Sequence, residues 1–273
     1  MSILLQKIET MEQLEEMARL EAEIWGTSPI PTHQTVTVAK NGGIIIGAFV
    51  GGEMVGFVYS FPGYENGEVY LCSHMMGIAK PFRDRGIGYM LKMKQAQEAI
   101  QQGYRKIRWT YDPLESRNGY VNIAKLGAIC SQYIENCYGE MDDAFNKHLP
   151  SDRFVVEWLL ESRYLQERGR VFSELRWTPE SVVLGWRQHH NDDLEPVWQK
   201  QDADHASFLF VAIPLQFQAL KERNPSLALD WRYKTRAVFT RLFRDGWAVA
   251  HVIRREHEPV LYYVCVRRDQ LPL

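Results

Sequence analysis

Arg83, Gly86 and Gly88 form the pattern RxxGxG inside KPFRDRGIGYMLK, residues 80–92, directly before an amphipathic stretch. The start of a helix leaves its first NH groups unpaired and carries partial positive charge, so it receives an anion wherever side chains do not block the approach. Glycine removes that block. It also permits positive φ values, which let consecutive NH groups converge into a concave nest. Arg83 and Arg85 add full charges able to reach phosphate oxygens from either side. These residues suit the gripping of a pyrophosphate, although a tight turn whose glycines merely satisfy geometry explains the same letters. The spacing is not the GxGxxG of dinucleotide folds, and the Lys-Ser/Thr of a P-loop is missing.

Other chemistry is largely excluded by composition. The 273 residues are 45% hydrophobic and 24% charged with a net charge of −2, so no overall field attracts nucleic acid or an anionic membrane. Cys72, Cys130, Cys137 and Cys265 contain no CxxC pair and no histidine at ligand spacing, which reads as free buried thiols rather than a metal or redox site. The adjacent His189 and His190 are poorly spaced for one helix face and read as a solvated pair. The apolar cluster Ile3–Leu5 is too short for a signal peptide core, and the run near Gly42–Val50 is too short for a membrane span, so a cytoplasmic protein is expected.

The elements that would position the turn follow from periodicity. A strand is expected at Ile3–Ile8, then a capping box of Thr10 and Gln13 opening a helix through Ile24. Ile44–Val50 and Met54–Ser60 flank Gly51-Gly52-Glu53 as a hairpin. Glu68–Ala79 reads as a central strand leading into the glycine turn. In the following helix Met90, Met93, Ala96 and Ile100 form the stripe expected to face the sheet, with Lys92, Lys94, Gln95 and Glu98 opposite and Gly103 as the stop. A strand at Lys106–Tyr111, a short helix at Glu115–Leu126 closed by Gly127, and strands at Ile129–Glu135 and Phe154–Leu160 complete a mixed α/β (α+β) sheet flanked by helices. Beyond Ser162 the sequence reads as irregular to about Ala206. Regular structure then resumes with a strand at Phe208–Pro214, a helix at Ser226–Arg244 and a hairpin of Trp247–Arg254 with Val260–Val266. The division expected is therefore 1–162 and an α/β extension, 163–273, whose strand, helix, strand order echoes the first half without its glycines.

The strand SHMMGIA, the turn RDRGIG, the amphipathic helix, the strand IRWTYD and the later helix RNGYVNIAKLGA together resemble the acyl-CoA-binding core of the GNAT superfamily of N-acetyltransferases, over roughly Ser2–Leu160. The resemblance implies a mostly antiparallel sheet whose fourth and fifth strands splay to admit pantetheine. It implies that NH groups of Arg85, Gly86, Ile87, Gly88 and Tyr89, with Arg83, hold the pyrophosphate of acetyl-CoA or another acyl-CoA. Met76 and Ile78 would pair with the pantetheine arm, Asn118 would touch it from the later helix, and a bulge near Met76 or Gly77 would free an NH for the thioester oxygen. The sequence departs from the family in two ways: the proline preceding the arginine is displaced by one position, and the tyrosine that often protonates the departing thiolate is replaced by Ile123.

The reaction implied is transfer of an acyl group, acetyl by default with succinyl open, to a primary amine by direct attack. No metal is implied. A lysine-type amine, pKa ~10.4, costs ~4.6 kcal/mol to present neutral at pH 7, and an α-amine near 8 only ~1.4. A thiol of pKa ~8.5 leaves tolerably as thiolate without an acid. His74, Asp112 and Glu115 are the candidate bases. His74 has a suitable intrinsic pKa, and strand alternation puts it on one face with Cys72 and Met76; a core histidine bonded to a carbonyl is the other reading. Asp112 and Glu115 lie where a strand empties into a loop, and Asp112 before Pro113 equally suits a turn cap. Tyr111 and Tyr138 are alternative donors or packed aromatics. The segment Tyr138–Phe154 reads as an acceptor-side lid, its acids drawing an amine and Arg153 clamping a carboxylate, or as a solvated loop. A small amine such as an amino acid is the acceptor expected. A non-catalytic acyl-CoA-binding module is the competing reading, and the oligomeric state, a homo-oligomer included, is left open.

Overall fold

The structure, a computed structural model, describes residues 2–140, 149–188, 193–199 and 206–273. Two compact units are present, Met1–Trp109 and Thr110–Leu273.

The first unit contains β1 (Leu4–Lys7), α1 (Met11–Trp25), α2 (Thr32–Lys40), β2 (Ile44–Val50), β3 (Glu53–Glu65), β4 (Glu68–Ile78), α3 (Ile87–Gln101) and β5 (Lys106–Tyr111), whose last two residues open the second unit. The strands lie in the order β1-β2-β3-β4-β5, antiparallel up to β4 and parallel between β4 and β5. Helix α1 begins with the expected capping box: Gln13 NH donates to Thr10 Oγ1, and the Gln13 side chain accepts from the Thr10 NH. Its buried Leu14, Met17 and Leu20 join Ile8, Ile45, Phe49, Met54, Phe57 and Tyr59 in one core. Helix α2, THQTVTVAK, is not legible in the sequence, because its β-branched residues favour a strand locally.

Helix α3 buries a different face from the one its methionines suggest. Ile87, Leu91, Lys92, Gln95, Ala96 and Ala99 are buried, whereas Met93 and Ile100 are exposed. The row at i, i+4 and i+8 from Ile87 packs on the sheet, and two polar side chains accompany it.

The second unit holds α4 (Ser116–Gly119), a π-helical stretch Tyr120–Lys125, β6 (Ile129–Ile134), β7 (Arg153–Leu159), α5 (Arg163–Val171), β8 (Val182–Gln188), β9 (Leu194–Trp198), β10 (Leu209–Pro214), α6 (Phe217–Arg223), α7 (Pro225–Arg244), β11 (Trp247–Arg254) and β12 (Val260–Arg267). Its strands run in the order β7-β6-β11-β12-β10-β8-β9, with β8 and β10 parallel. Phe154 anchors an aromatic core, its ring 4.6 Å from Phe239 and 5.4 Å from Tyr263. The region expected to be irregular contains α5, β8 and β9, and the glycine-free stretch after β10 contains α6. His189 and His190 lie outside the described residues. Among the described residues no helix is long and apolar enough to cross a membrane.

Candidate functional site

Strand β4 pairs with β5 at Leu71↔Ile107 and Cys72↔Arg108 and then continues to Ile78 without further pairs in that ladder. On its other side β4 stays paired with β3 up to Gly56↔Ile78. The open side of β4 leads straight into the glycine turn, through a single 3₁₀ turn at Lys80–Phe82.

Of the turn's two glycines, Gly86 takes the left-handed backbone and Gly88 lies inside the helix. Gly86 is the N-cap of α3 at φ 77°, and Asp84, two residues earlier, also sits in the left-handed region at φ 64°. Nothing lies within 4 Å of the position a Gly86 Cβ would take, so the approach to the helix start is open. A Cβ on Gly88 would stand 3.3 Å from Met76 Cε, so the thioether of β4 leans over the first turn. The helical ladder begins with Met90 NH donating to the Gly86 carbonyl, which leaves the earlier NH groups outside it. Ile87 contributes backbone only, since its side chain is buried. Arg83 Nε donates to the Ile78 carbonyl at 3.1 Å, bracing the turn against the strand end, and Arg85 lies over the Phe82 ring at 5.3 Å.

His74 is the extra residue of a β-bulge: Tyr59 opposes Met75 and Ser60 opposes Ser73, with nothing opposite His74. The bulge lies two residues before the expected Met76–Gly77 position. It also breaks the alternation that would have aligned Cys72, His74 and Met76. Ser73 and Met76 face α3, whereas His74 stands against Tyr59 and Phe61, ring centroids 6.2 and 5.6 Å away. One side of the imidazole is open to solvent, and the desolvation supplied by its surroundings lowers its pKa from the ordinary 6.5.

Beneath β4 sits a polar cluster that periodicity assigned to solvent. Lys92 Nζ donates to Ser73 Oγ at 2.8 Å and to Gln95 Oε1 at 3.1 Å, and lies 3.7 Å from the centre of the Trp109 ring. Gln95 Nε2 also donates to Ser73 Oγ, at 3.0 Å. Burial pulls the Lys92 pKa down to about 7, against a small opposing pull from Cys72. The signal available in the sequence is the row Ile87, Leu91, Gln95, Ala99, into which Lys92 falls as a neighbour.

In the second unit, Asp112 is both turn cap and ion-pair partner. Its Oδ1 accepts from Leu114 NH at 2.9 Å, and its Oδ2 pairs with Arg232 and lies 4.0 Å from Arg153 Nη1. Arg232 is 1% exposed, and its Nε and Nη1 have no hydrogen-bond partner among the described residues. Burial alone would lower its pKa; Asp112 overrides this and raises it. Glu115 is half-buried and accepts from Gln218; burial raises its pKa despite that bond. Asn118 is exposed on α4, while Ile123 is fully buried in the π-helical stretch. Tyr111 is buried with its hydroxyl 3.1 Å from that of Tyr263, and burial holds it protonated, as suits packing. Tyr138 is half-exposed and bonds Thr110. Arg153 Nη1 donates to the Asp152 carbonyl, and Asp142, Asp143 and Lys147 of the expected lid lie outside the described residues.

A strand whose ladder with β5 ends at Cys72, feeding a helix whose N-cap is a left-handed glycine, has the geometry to accept a long ligand with an anionic end. Residues 8–120 match the model of the acetyltransferase (GNAT) family. Among solved structures the chain is similar to the ribosomal-protein-S18-alanine N-acetyltransferase from Escherichia coli, at 12% identity over 58% of this chain and 94% of that one, TM-score 0.48. It is similar also to Naa50 from Arabidopsis thaliana in complex with a bisubstrate analogue, at 17% identity over 57% and 98%, TM-score 0.46. An N-acetyltransferase from Staphylococcus aureus Mu50 is similar at 16% identity over 59% and 100%, TM-score 0.47. No curated protein matches. The GNAT match takes in β4, the glycine turn, α3 and β5, and ends within the later helix at Tyr120.

Proposed function

We propose that this chain transfers an acyl group, acetyl by default, from acyl-CoA to a primary amine by direct attack in a ternary complex. The observation that carries the reading is the open flank of β4 beyond Cys72, ending at the left-handed Gly86 that starts α3. Acyl-CoA suits that cradle: its diphosphate matches the helix start with Arg83 and Arg85, and its amide-bearing arm matches the edge of β4 beyond its ladder with β5, at Met76 and at Ile78, whose carbonyl accepts from Arg83. The NH groups of Gly86, Ile87, Gly88 and Tyr89 hold the diphosphate, and Asn118 is the candidate contact from the later helix. When bound, the thioester supplies an activated acyl carbon.

The protein's own part is to bind, align and handle protons. His74, at a bulge and partly open to solvent, takes the proton of the incoming amine; its lowered pKa keeps it neutral at pH 7. Glu115, with its raised pKa, is the second candidate for that proton. Asp112, tied to Leu114 and Arg232, serves by holding the loop. With Ile123 where a phenol would stand, the sulfur leaves as thiolate. The acceptor class favoured is a small amine such as an amino acid, and the division into a transferase region, 1–162, and an extension, 163–273, belongs to the same reading.

Calorimetry with coenzyme A tests the cradle, and mass spectrometry of products from mixed acyl-CoAs with a library of amines, amino acids and short peptides tests the reaction. Uptake together with an acylated small amine is expected. Absence of uptake overturns the reading, uptake without any product leaves a binding module, and acylated peptides alone replace the acceptor.

A further inference from the structure

The first unit buries a lysine where the proposed reaction does not call for one. Lys92 is 3% exposed, and among the described residues its amine touches no carboxylate: its partners are Ser73 Oγ, Gln95 Oε1 and the face of Trp109. A methionine would fill similar volume without the desolvation cost.

Its location gives a reason. The parallel ladder of β4 and β5 runs Leu71↔Ile107, Cys72↔Arg108, and the next pair in that register would be Ser73 with Trp109. Those are the two strand residues that Lys92 contacts. Its amine is 2.8 Å from Ser73 Oγ on one strand and 3.7 Å from the Trp109 ring centre on the other. Gln95, one turn further along α3, fixes the geometry by donating to the same serine and accepting from the lysine. Ser73 also adjoins the His74 bulge, so one side chain of α3 meets the strands where pairing ends and where β4 changes register.

We propose that Lys92 is a positioning residue that wedges β4 from β5 at Ser73 and Trp109 and so keeps open the cleft for the pantetheine arm. The proposal rests on the acyl-CoA function. Because Lys92 belongs to the helix that begins at Gly86, the wedge and the phosphate cradle are parts of one rigid element. The spacing between diphosphate and strand opening is thereby set by α3 itself.

The test is Lys92→Met in the full chain, with Ser73→Ala as a milder second variant. Three measurements apply: thermal unfolding, backbone amide exchange without ligand, and calorimetry with coenzyme A. For Lys92→Met we expect an unfolding midpoint at pH 6 equal to or above that of the parent, and exchange at least tenfold slower at Trp109–Tyr111 as the strands close. Coenzyme A affinity should fall at least tenfold. Ser73→Ala should move exchange and affinity the same way by roughly threefold, and it stands alone if the methionine variant does not fold. A lysine with a merely structural role would lower the midpoint and leave affinity unchanged; that result, or unchanged exchange in both variants, overturns the wedge. If the parent protein takes up no coenzyme A, the acyl-CoA function falls and the cleft's purpose with it, whereas uptake equal in parent and variants overturns the wedge alone.

Discussion

At the scale of single residues, desolvation lowers the pKa of both His74 and Lys92, with a consequence for turnover at the first and for stability at the second. The base acts in its neutral form, so a pKa below 6.5 puts the acid limb of the rate profile below that value and makes the neutral base the predominant form at pH 7. Replacing His74 with alanine should lower kcat by roughly 10²-fold or more and abolish that limb, with coenzyme A affinity unchanged by calorimetry. Lys92 has a folded pKa of about 7 against about 10.4 in an unfolded chain. Between those values the unfolded chain binds the extra proton, so stability rises with pH from about 7 to about 10 and is lost as pH falls towards 7. The groups facing this amine are Ser73, Gln95, Trp109 and, by charge, Cys72. Chemical unfolding of the parent across pH 6–10 should show a gain on the order of a few kcal/mol, flattened in Lys92→Met. The glycine turn is readable from the letters because positive φ is a property of the residue itself. The partners of Lys92 are not, since only tertiary packing decides which stripe of α3 is covered.

Among elements, legibility tracks how far local chemistry fixes the backbone. The Thr10–Gln13 cap is plain in the letters and present in the fold, and Thr10→Ala should cost about 1 kcal/mol in denaturant unfolding. The hairpin of β2 and β3 and the strand β5 are likewise set by turn residues and alternation. Strand β4 is evident as a strand, but its bulge is not: one extra residue leaves no mark on composition, yet it turns His74 away from the face of Met76. Helix α3 offers two stripes of comparable apolarity, and the methionine one is the outer. In the second unit, α5, β8 and β9 are hidden because Arg, Trp and Pro interrupt their periodicity. Their order comes from neighbours: Tyr164 OH on the Ala250 carbonyl, and β8 paired with β9 and β10.

For the molecule as a whole, stability leans on buried charge as well as on apolar cores. Asp112→Ala would leave the Arg232 guanidinium, almost wholly buried, without its carboxylate, and should lower unfolding stability by roughly 3–5 kcal/mol in urea titration. Such a loss would consume much of a natural domain's margin, which is typically ~5–15 kcal/mol. Arg236, clamped on Asp152 through two bonds of 2.8 and 2.7 Å, should behave similarly though it is less buried. The thioether of Met76, 39% exposed and leaning on Gly88, carries a different liability. Peroxide would convert it into a bulkier, polar sulfoxide beside the helix start. Mild oxidation should therefore abolish cofactor uptake before it unfolds the chain, Met76→Leu should resist it, and a methionine sulfoxide reductase should restore the function, giving the protein a reversible sensitivity to oxidants.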